Sequence, residues 1–258
     1  KYKFFKTFED FINKHTPDSL YLAGDPNSYL EIIKKAHKNN IDCIIEKPLS
    51  LKIEDARKIR KYQKLQKNKI YFNLPNLNDY KFRKLKKILF QRKILKINII
   101  EGGYGPFRKT IDPILDWGIH PLSTILNLFI NKKIGNINYK KILHNRKNNS
   151  KIYKLETYCN NIKIKILTGN LFKQKIRKIK IFYTKNDFII YDFNLKKINA
   201  SKNLLKKTKS IKSNNIDPLK SLLLDFTKKG ILKNQLENFN TGFNSMTILL
   251  NILKKNNI

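Results

Sequence analysis

The sequence has few of the features that mark secreted or membrane proteins. It contains only two cysteines, Cys43 and Cys159, so it offers no disulfide framework, and we expect a cytoplasmic protein in a reducing environment. No stretch reaches the roughly 18 uncharged apolar residues that a transmembrane helix needs. The sequence therefore predicts a globular chain without a membrane partner.

Histidine is also scarce, with four residues, and no group of His and Cys has the spacing of a metal site. We therefore expect no metal ion. The chain opens on Lys instead of Met, and we expect it to be a fragment of a longer protein.

Acidic residues are few, 19 against 55 basic ones, and the formal net charge is +36. Such a charge raises the possibility of nucleic-acid binding. Only seven of the basic residues are arginine, the side chain that makes bidentate contacts to phosphates and bases, and the lysines are spread over every segment. We interpret the charge as compositional bias, which favours anionic small ligands over a specific nucleic acid. A basic nucleic-acid-binding protein stays open as an alternative.

The first part of the chain alternates apolar runs with amphipathic segments. The predicted strands are 19–23, 41–46 and 70–74, and the predicted helices are 7–14, 28–39 and 51–67. Strands that alternate with helices are typical of a parallel α/β sheet.

After Pro75 the pattern changes to short segments with β character. These are 95–101, 134–143, 152–158, 162–168, 176–183 and 188–191. In one of them Ile162, Ile164 and Ile166 alternate with lysines, as expected for an antiparallel sheet with one covered face. Helices are predicted at 121–130, 219–229 and 243–254, and 194–215 is expected to be a mobile connection. The fold class is therefore α/β: a partial parallel domain over 1–74, then an α+β domain with a large, mostly antiparallel sheet over 75–258.

Glu46, Lys47 and Pro48 follow the second predicted strand at its carboxyl end, where open α/β sheets bind ligands. A lysine there can donate to a substrate hydroxyl and stabilise developing negative charge on its oxygen. Pro48 can hold a cis bond that directs Lys47. The alternative is a solvated lysine in a tight turn, and the tripeptide alone favours that alternative.

Asp116 and His120 are four residues apart and would share one face of a helix. A carboxylate beside an imidazole raises its basicity, as a general base for a hydroxyl proton requires. Pro121 disfavours helical geometry at His120, so the pair can also lie on a turn or a kinked segment. Taken alone, the spacing more often reflects a histidine that packs against the following helix.

The two motifs together resemble the glucose–fructose oxidoreductase, inositol dehydrogenase and rhizopine-catabolism (Gfo/Idh/MocA) family. Their order matches, and Lys47 and His120 are 73 positions apart, within the family's habit. The segment TFEDFINKHTPDSLYLAGDP at 7–26 is similar to the family's helix, strand and proline-bearing loop. The resemblance covers essentially the whole chain. It implies a Rossmann domain joined to an α/β domain that carries a large antiparallel sheet.

The resemblance also implies an NAD(P)-dependent oxidoreductase that transfers hydride between nicotinamide and a hydroxyl carbon of a sugar, nucleotide-sugar or polyol. Lys47 would orient substrate and nicotinamide, His120 would be the acid/base, and Asp116 would orient His120 or touch substrate.

For the cofactor, NAD or NADP, the resemblance places Asp25 and Pro26 beside it and Glu46 near the nicotinamide ribose or amide. Lys47 would contact it too. No G-x-G-x-x-G is present, so we expect the phosphate-binding glycine loop to be missing from this chain.

Family members commonly associate through the open face of the second-domain sheet, so a homo-oligomer is expected. The family's usual T-P-x-x-x-H loop reads Asp25-Pro26-Asn27 here, and its glycine triplet before the D-x-x-x-H motif is absent. These departures leave a non-catalytic, sugar-binding or structural relative as the second hypothesis.

Overall fold

The computed structural model of the chain describes residues 3–65, 67–130, 132–145, 148–209, 211, 216–227 and 233–256. The chain divides into two compact units. The first comprises 1–73 together with 229–243, and the second comprises 74–228 together with 244–258. Residues 233–243, which the sequence analysis places in the second domain, are thus grouped with the first unit.

The first unit is a parallel sheet whose strands are joined by helices. Its elements are α1 (Phe8–Lys14), β1 (Ser19–Leu22), α2 (Tyr29–Lys38), β2 (Asp42–Ile45), α3 (Ile53–Leu65) and β3 (Ile70–Phe72). The strands pair in the order β1-β2-β3, all parallel, with Leu20 opposite Cys43 and Cys43 opposite Ile70. The predicted parallel α/β arrangement is confirmed.

Apolar residues of both crossover helices line the core of this unit. Ile33 and Ala36 on α2 and Ile59 on α3 are fully buried, as are Cys43 and Phe72 of the sheet. Each helix therefore packs its apolar face against the sheet, and the charged residues of α3 lie on the opposite face.

The second unit combines helices with a seven-stranded sheet. Its helices are α4 (Pro75–Asn78), α5 (Tyr80–Leu89), α6 (Pro113–Asp116), α7 (Ile119–Leu128), α8 (Lys202–Lys209), α9 (Pro218–Phe226) and α10 (Lys233–Asn256), of which α10 begins in the first unit's residues. Its strands are β4 (Lys96–Tyr104), β5 (Asn138–Asn145), β6 (Ser150–Cys159), β7 (Ile162–Gly169), β8 (Leu171–Phe182), β9 (Phe188–Asp192) and β10 (Lys197–Ala200).

The seven strands lie in the order β10-β9-β8-β4-β7-β6-β5. Strand β4 is central, antiparallel to β8 and parallel to β7, and all other pairs are antiparallel. The predicted large, mostly antiparallel sheet is confirmed. The β4–β7 pair joins residues 67 positions apart, which local periodicity does not reveal.

The period-two alternation in β7 separates a covered from an open side of the sheet. Ile164 and Ile166 are buried, whereas Lys163 is exposed and Lys165 is partly exposed. The same alternation holds in β4, where Ile97 and Ile99 are buried. The covered side carries the core, and the open side carries lysines.

The mobile connection expected over 194–215 is wrong for most of its length. Residues Lys197–Ala200 form β10, which pairs antiparallel with β9, and Lys202–Lys209 form α8; 210 and 212–215 lie outside the described residues. The composition is polar, but Ile198 and Ala200 alternate on an edge strand and Leu204 is buried. Edge strands need few apolar residues, so composition alone missed this one.

Within the described part of the chain, no helix is both long and apolar enough to cross a bilayer.

The two sides of β7 predict opposite responses to truncation. Ile164 is fully buried between the strands that flank it and the core, so Ile164→Ala should lower the free energy of unfolding by about 2–5 kcal/mol. Lys163→Ala, one position away on the open side, should change it by about 0.5 kcal/mol or less. Urea unfolding measures both, and equal losses would contradict the assignment of faces.

Candidate functional site

In the first unit, three polar segments follow the three parallel strands at one edge of the sheet. Gly24 and Asp25 come after β1, Glu46 and Lys47 after β2, and Asn73 after β3. The carboxyl edge of a parallel sheet is where α/β proteins bind ligands. The sequence therefore places its candidate residues on the expected edge.

The Glu46 carboxylate is held in place by its neighbours on both adjacent strands. Asn73 Nδ2 donates to Glu46 Oε1 at 2.6 Å, and the Tyr21 hydroxyl donates to the same oxygen. Burial, reinforced by Glu46, raises the pKa of Tyr21 well above its usual range, so its hydroxyl stays a donor. Two fixed donors on one oxygen give Glu46 a defined orientation at the sheet edge.

Lys47 is half-buried beside this carboxylate, and its backbone N–H donates to Glu46 Oε2 at 3.3 Å. The Lys47–Pro48 peptide bond is cis. Ser50 Oγ accepts from Lys52 N at 3.0 Å just before α3 begins, so the turn after Lys47 is anchored at both ends. A lysine on such a turn can present an ammonium donor at a fixed position.

Asp25 is exposed, and its carboxylate makes a local turn. Asp25 Oδ1 accepts from Asn27 N at 3.1 Å, while Asp25 O accepts from Ser28 Oγ at 2.7 Å. Pro26 is buried, and the Tyr29 hydroxyl donates to Gly24 O at 3.0 Å. These hydrogen bonds give the loop at Asp25 a defined conformation, which the Asp25 carboxylate and carbonyl help to set.

The residues present fit the nicotinamide half of a dinucleotide. Glu46 has an oriented carboxylate that could accept a hydrogen bond from a ribose hydroxyl or a carboxamide N–H. Among the described residues, Asn73 Oδ1 is buried and has no hydrogen-bond partner, an acceptor that a carboxamide could satisfy. No cluster of three His, Cys, Asp or Glu side chains that could hold a metal is found in the described ranges.

In the second unit, Asp116 and His120 lie on either side of a junction between two helices. Asp116 ends α6, and His120 is the second residue of α7. Trp117 and Gly118 between them keep right-handed helical dihedrals, so the chain continues its turn without a sharp kink. Pro121 falls in the first turn of α7, where a missing N–H costs no helical bond.

Gly118 is required at this junction by a close approach. A Cβ atom there would lie 2.4 Å from Ile114 O and 3.3 Å from Thr168 Cγ2. Gly118 N also donates to Ile114 O at 2.9 Å. The glycine of the D-W-G-I-H segment therefore allows α6 and α7 to follow one another against β7.

Asp116 and His120 are both buried, at 3% and 7% exposed. Arg108 Nε lies 3.6 Å from Asp116 Oδ2, and about half of the Arg108 side chain is exposed. The sequence analysis did not identify Arg108. The sequence feature that could have pointed to Arg108 is that arginine is rare in a chain whose basic residues are nearly all lysine.

A buried polar network holds the helix that carries His120. Arg177 Nε donates to Glu101 Oε1 at 2.6 Å and Arg177 Nη2 donates to Asn76 Oδ1 at 2.8 Å. Asn76 Nδ2 donates to Glu101 Oε2 at 2.9 Å and to Thr124 Oγ1 at 3.2 Å, and Thr124 Oγ1 donates to His120 O at 2.8 Å. The network therefore ends on the backbone of His120.

A second cluster fixes the start of α6. Asp112 Oδ1 caps the helix by accepting from Ile114 N at 2.9 Å. Asp112 Oδ2 accepts from Lys151 Nζ at 2.5 Å and from the Tyr153 hydroxyl at 3.1 Å. Burial and the adjacent Asp112 raise the pKa of Tyr153, which stays protonated as a donor. These contacts fix the start of the short helix that ends at Asp116.

Residues 1–74 match the family model described as an oxidoreductase family with an NAD-binding Rossmann fold, Gfo/Idh/MocA. In this segment the chain is similar to the Gfo/Idh/MocA family. The resemblance seen in the sequence is confirmed, and the NAD-binding description agrees with the expected NAD or NADP. No curated protein sequence matches the chain.

Solved structures of similar fold extend over nearly the whole chain. A dehydrogenase from Chromobacterium violaceum has TM-score 0.77 at 11% identity, covering 97% of this chain and 79% of that one. UDP-N-acetylglucosamine 3-dehydrogenase from Acidithiobacillus ferrooxidans has TM-score 0.74 at 13% identity, with 96% and 80% covered. The WlbA dehydrogenase of Bordetella pertussis, solved with NADH and UDP-GlcNAcA, has TM-score 0.70 at 13% identity, with 96% and 79% covered. At these identities the likeness establishes the fold.

The free energy of unfolding should depend on Glu101, because its carboxylate is the counter-ion of Arg177 in the buried network. In Glu101→Gln the Arg177 charge loses its counter-ion, and a buried pair broken on one side typically costs about 3–5 kcal/mol. We expect that loss in urea unfolding. Glu156→Gln, which removes a partly exposed carboxylate paired with Lys154, should leave the midpoint nearly unchanged. Equal effects of the two changes would show that the network does not stabilise this unit.

Proposed function

We propose that the protein is an NAD(P)-dependent oxidoreductase that transfers hydride between nicotinamide and a hydroxyl carbon of a sugar, nucleotide-sugar or polyol. The observation that carries the proposal is the match of 1–74, the segment with Glu46 and Lys47, to an NAD-binding oxidoreductase family. In domain terms, 1–74 would bind the dinucleotide and 75–258 the substrate. The change from a parallel to a mostly antiparallel sheet between β3 and β4 supports that division.

His120 is the proposed general base for the substrate hydroxyl. Hydride leaves a carbinol carbon efficiently only if the hydroxyl proton is removed, and an imidazole has the suitable pKa range. Burial of His120 at a constrained helix junction supports this role, since a base must be held close to its proton. Asp116, four residues earlier, is proposed to orient His120 or to contact the substrate.

Lys47 is proposed to orient the substrate hydroxyl and nicotinamide. Its ammonium would donate to the oxygen, which becomes more negative as the reaction proceeds, so the contact strengthens towards the transition state. The anchored turn that follows Glu46 supports a fixed donor at this position.

Glu46, Asp25 and Pro26 are the proposed cofactor contacts, together with Lys47. Glu46 offers an oriented carboxylate, and the loop at Asp25 and Pro26 has a defined conformation at the same sheet edge. A bound nicotinamide would supply or accept the hydride.

The substrate class is proposed from the names of the similar structures. One acts on UDP-N-acetylglucosamine and another holds UDP-GlcNAcA with NADH. A basic protein suits such anionic substrates, because its field attracts them. We therefore favour a nucleotide-sugar over an uncharged polyol.

Both thiols are free and buried, which supports a cytoplasmic location.

The test is kinetic and uses the complete gene product. His120→Ala should lower kcat by about 100-fold or more while dinucleotide binding stays nearly unchanged. Lys47→Ala should lower kcat and also raise KM, since its donor acts before and during the reaction. Stopped-flow or steady-state absorbance of NAD(P)H at a range of substrate concentrations measures both.

His144→Ala is the matched control, because this histidine is exposed on the edge strand β5 and should be silent. If His120→Ala keeps full turnover, the base assignment is wrong. If the intact protein binds sugar ligands and NAD(P) but never turns over, the non-catalytic relative is the better description.

A homo-oligomer through the open side of the second-unit sheet is also proposed. That side carries partly exposed Ile100 and Leu167 among cross-strand neighbours such as Lys96 and Lys163. Apolar residues at the centre of a face suit a protein interface, and charged residues suit its rim. Lysines on both copies would repel each other, so the association should depend on salt.

Sedimentation velocity should show the oligomer strengthening as NaCl rises, since the Debye length falls from about 30 Å at 0.01 M to about 8 Å at 0.15 M. Leu167→Lys should favour the monomer. Leu195→Lys, at an exposed position in the turn between β9 and β10, should leave association unchanged. A monomer at every salt concentration would rule the interface out.

A further inference from the structure

The loop that joins β4 to α6, residues 105–112, has a fixed backbone but exposed side chains. Gly105 O accepts from Trp117 Nε1 at 3.0 Å, and Gly105 N donates to Asn170 O at 3.0 Å. Pro106 O accepts from Asn170 Nδ2 and Arg108 O accepts from Asn149 Nδ2, each at 3.2 Å. Gly105 has a φ of +75°, which favours glycine. A loop held by three side chains from elsewhere in the unit is preorganised.

Two aromatic rings stand on this rigid loop. Tyr104, the last residue of β4, is 69% exposed, and Phe107 is 39% exposed. Their rings pack edge to face with centroids 5.0 Å apart. Exposed aromatic faces with fixed orientation are the usual platform on which nucleic bases stack, because every base offers a π-face.

Cations follow the aromatics directly. About half of the Arg108 side chain is exposed, and its Nε atom lies 3.6 Å from Asp116 Oδ2. The next residue, Lys109, is also exposed. A guanidinium binds phosphate with parallel N–H donors. Lysine is common everywhere in this chain, but only seven arginines occur, so compositional bias accounts less well for Arg108.

We propose that this loop is the binding site for the nucleoside diphosphate of a nucleotide-sugar, with the base against Tyr104 and Phe107 and the phosphates on Arg108 and Lys109. The proposal rests on the proposed function, and it names the substrate class of that site. The contact from Arg108 to Asp116 connects the phosphate subsite with the Asp116–His120 segment. A bound diphosphate would therefore bring the attached sugar to the residues proposed for catalysis.

The fluorescence of the single tryptophan can report binding at this site. Trp117 is the single tryptophan, it donates to the loop at Gly105, and its ring lies against β4 at Gly103. Titrating the complete protein with UDP should change tryptophan emission in a saturable way. The same titrations with uridine and with inorganic pyrophosphate should show much weaker binding, since each lacks half of the recognised groups.

Substitutions localise the effect. Arg108→Ala should raise the Kd for UDP by about tenfold or more and Phe107→Ala by several-fold, because they remove the phosphate fork and a stacking face. Arg108→Lys should recover only part of the affinity. The matched controls are Lys185→Ala and Tyr158→Ala, an exposed lysine and a 53% exposed tyrosine elsewhere in the unit, and they should leave the Kd unchanged.

Pyrophosphate that binds as tightly as UDP, with Phe107→Ala silent, would overturn the proposal in favour of non-specific anion binding to a basic protein. Absence of UDP binding in a protein that oxidises an uncharged sugar in a His120-dependent way would overturn it while the proposed function stands. Conversely, UDP binding lost in Arg108→Ala but full turnover in His120→Ala would support this site and reject the catalytic assignment.

Discussion

The burial of the Glu101 carboxylate is the constraint on which the second unit depends. Strand β4 directs Glu101 to the covered side of the sheet, where an ion without partners would be strongly destabilising. Its partners come from β8 (Arg177, directly opposite in register) and α4 (Asn76), and Thr124 links them to α7. Apolar contacts tolerate small shifts of one element against another, whereas hydrogen bonds require defined directions between their partners. One network thus sets the position of the central strand, the connecting helix and the helix of His120.

The elements of the fold could largely be predicted from the sequence, because their periods are strong. Alternation at Ile164 and Ile166 marks a half-buried strand, and capped amphipathic stretches such as Phe8–Lys14 mark helices. The order of the strands could not be predicted, since the placement of β4 between β7 and β8 depends on contacts far apart in sequence. Polar edge elements, β10 and α8, were missed because their burial involves single residues such as Leu204.

The candidate site was predictable where residue type and strand position coincide. Glu46 and Lys47 follow a strand whose carboxyl end is the ligand edge, and Asn73 could have been found by the same rule one strand later. Arg108 had only the rarity of arginine as a signal. The Arg177–Glu101 pair could not be predicted, because the two residues are 76 positions apart and neither belongs to a local motif. The roles of Lys47, Asp116 and His120 stay predictions that the kinetic variants will test.

The crossover between β7 and β8 has a consequence for how the chain folds. The two strands are separated by Asn170 alone, yet in the sheet each pairs with β4, whose residues lie 67 positions before their partners in β7. A newly made β7–β8 pair could close on itself as a local hairpin, which forms faster than a long-range pairing. The native sheet requires that this contact be avoided or reopened so that β4 can insert. A near and a distant partner therefore compete for the edges of β7 and β8, and a chain in which β4 is not yet paired would expose strand edges that favour aggregation.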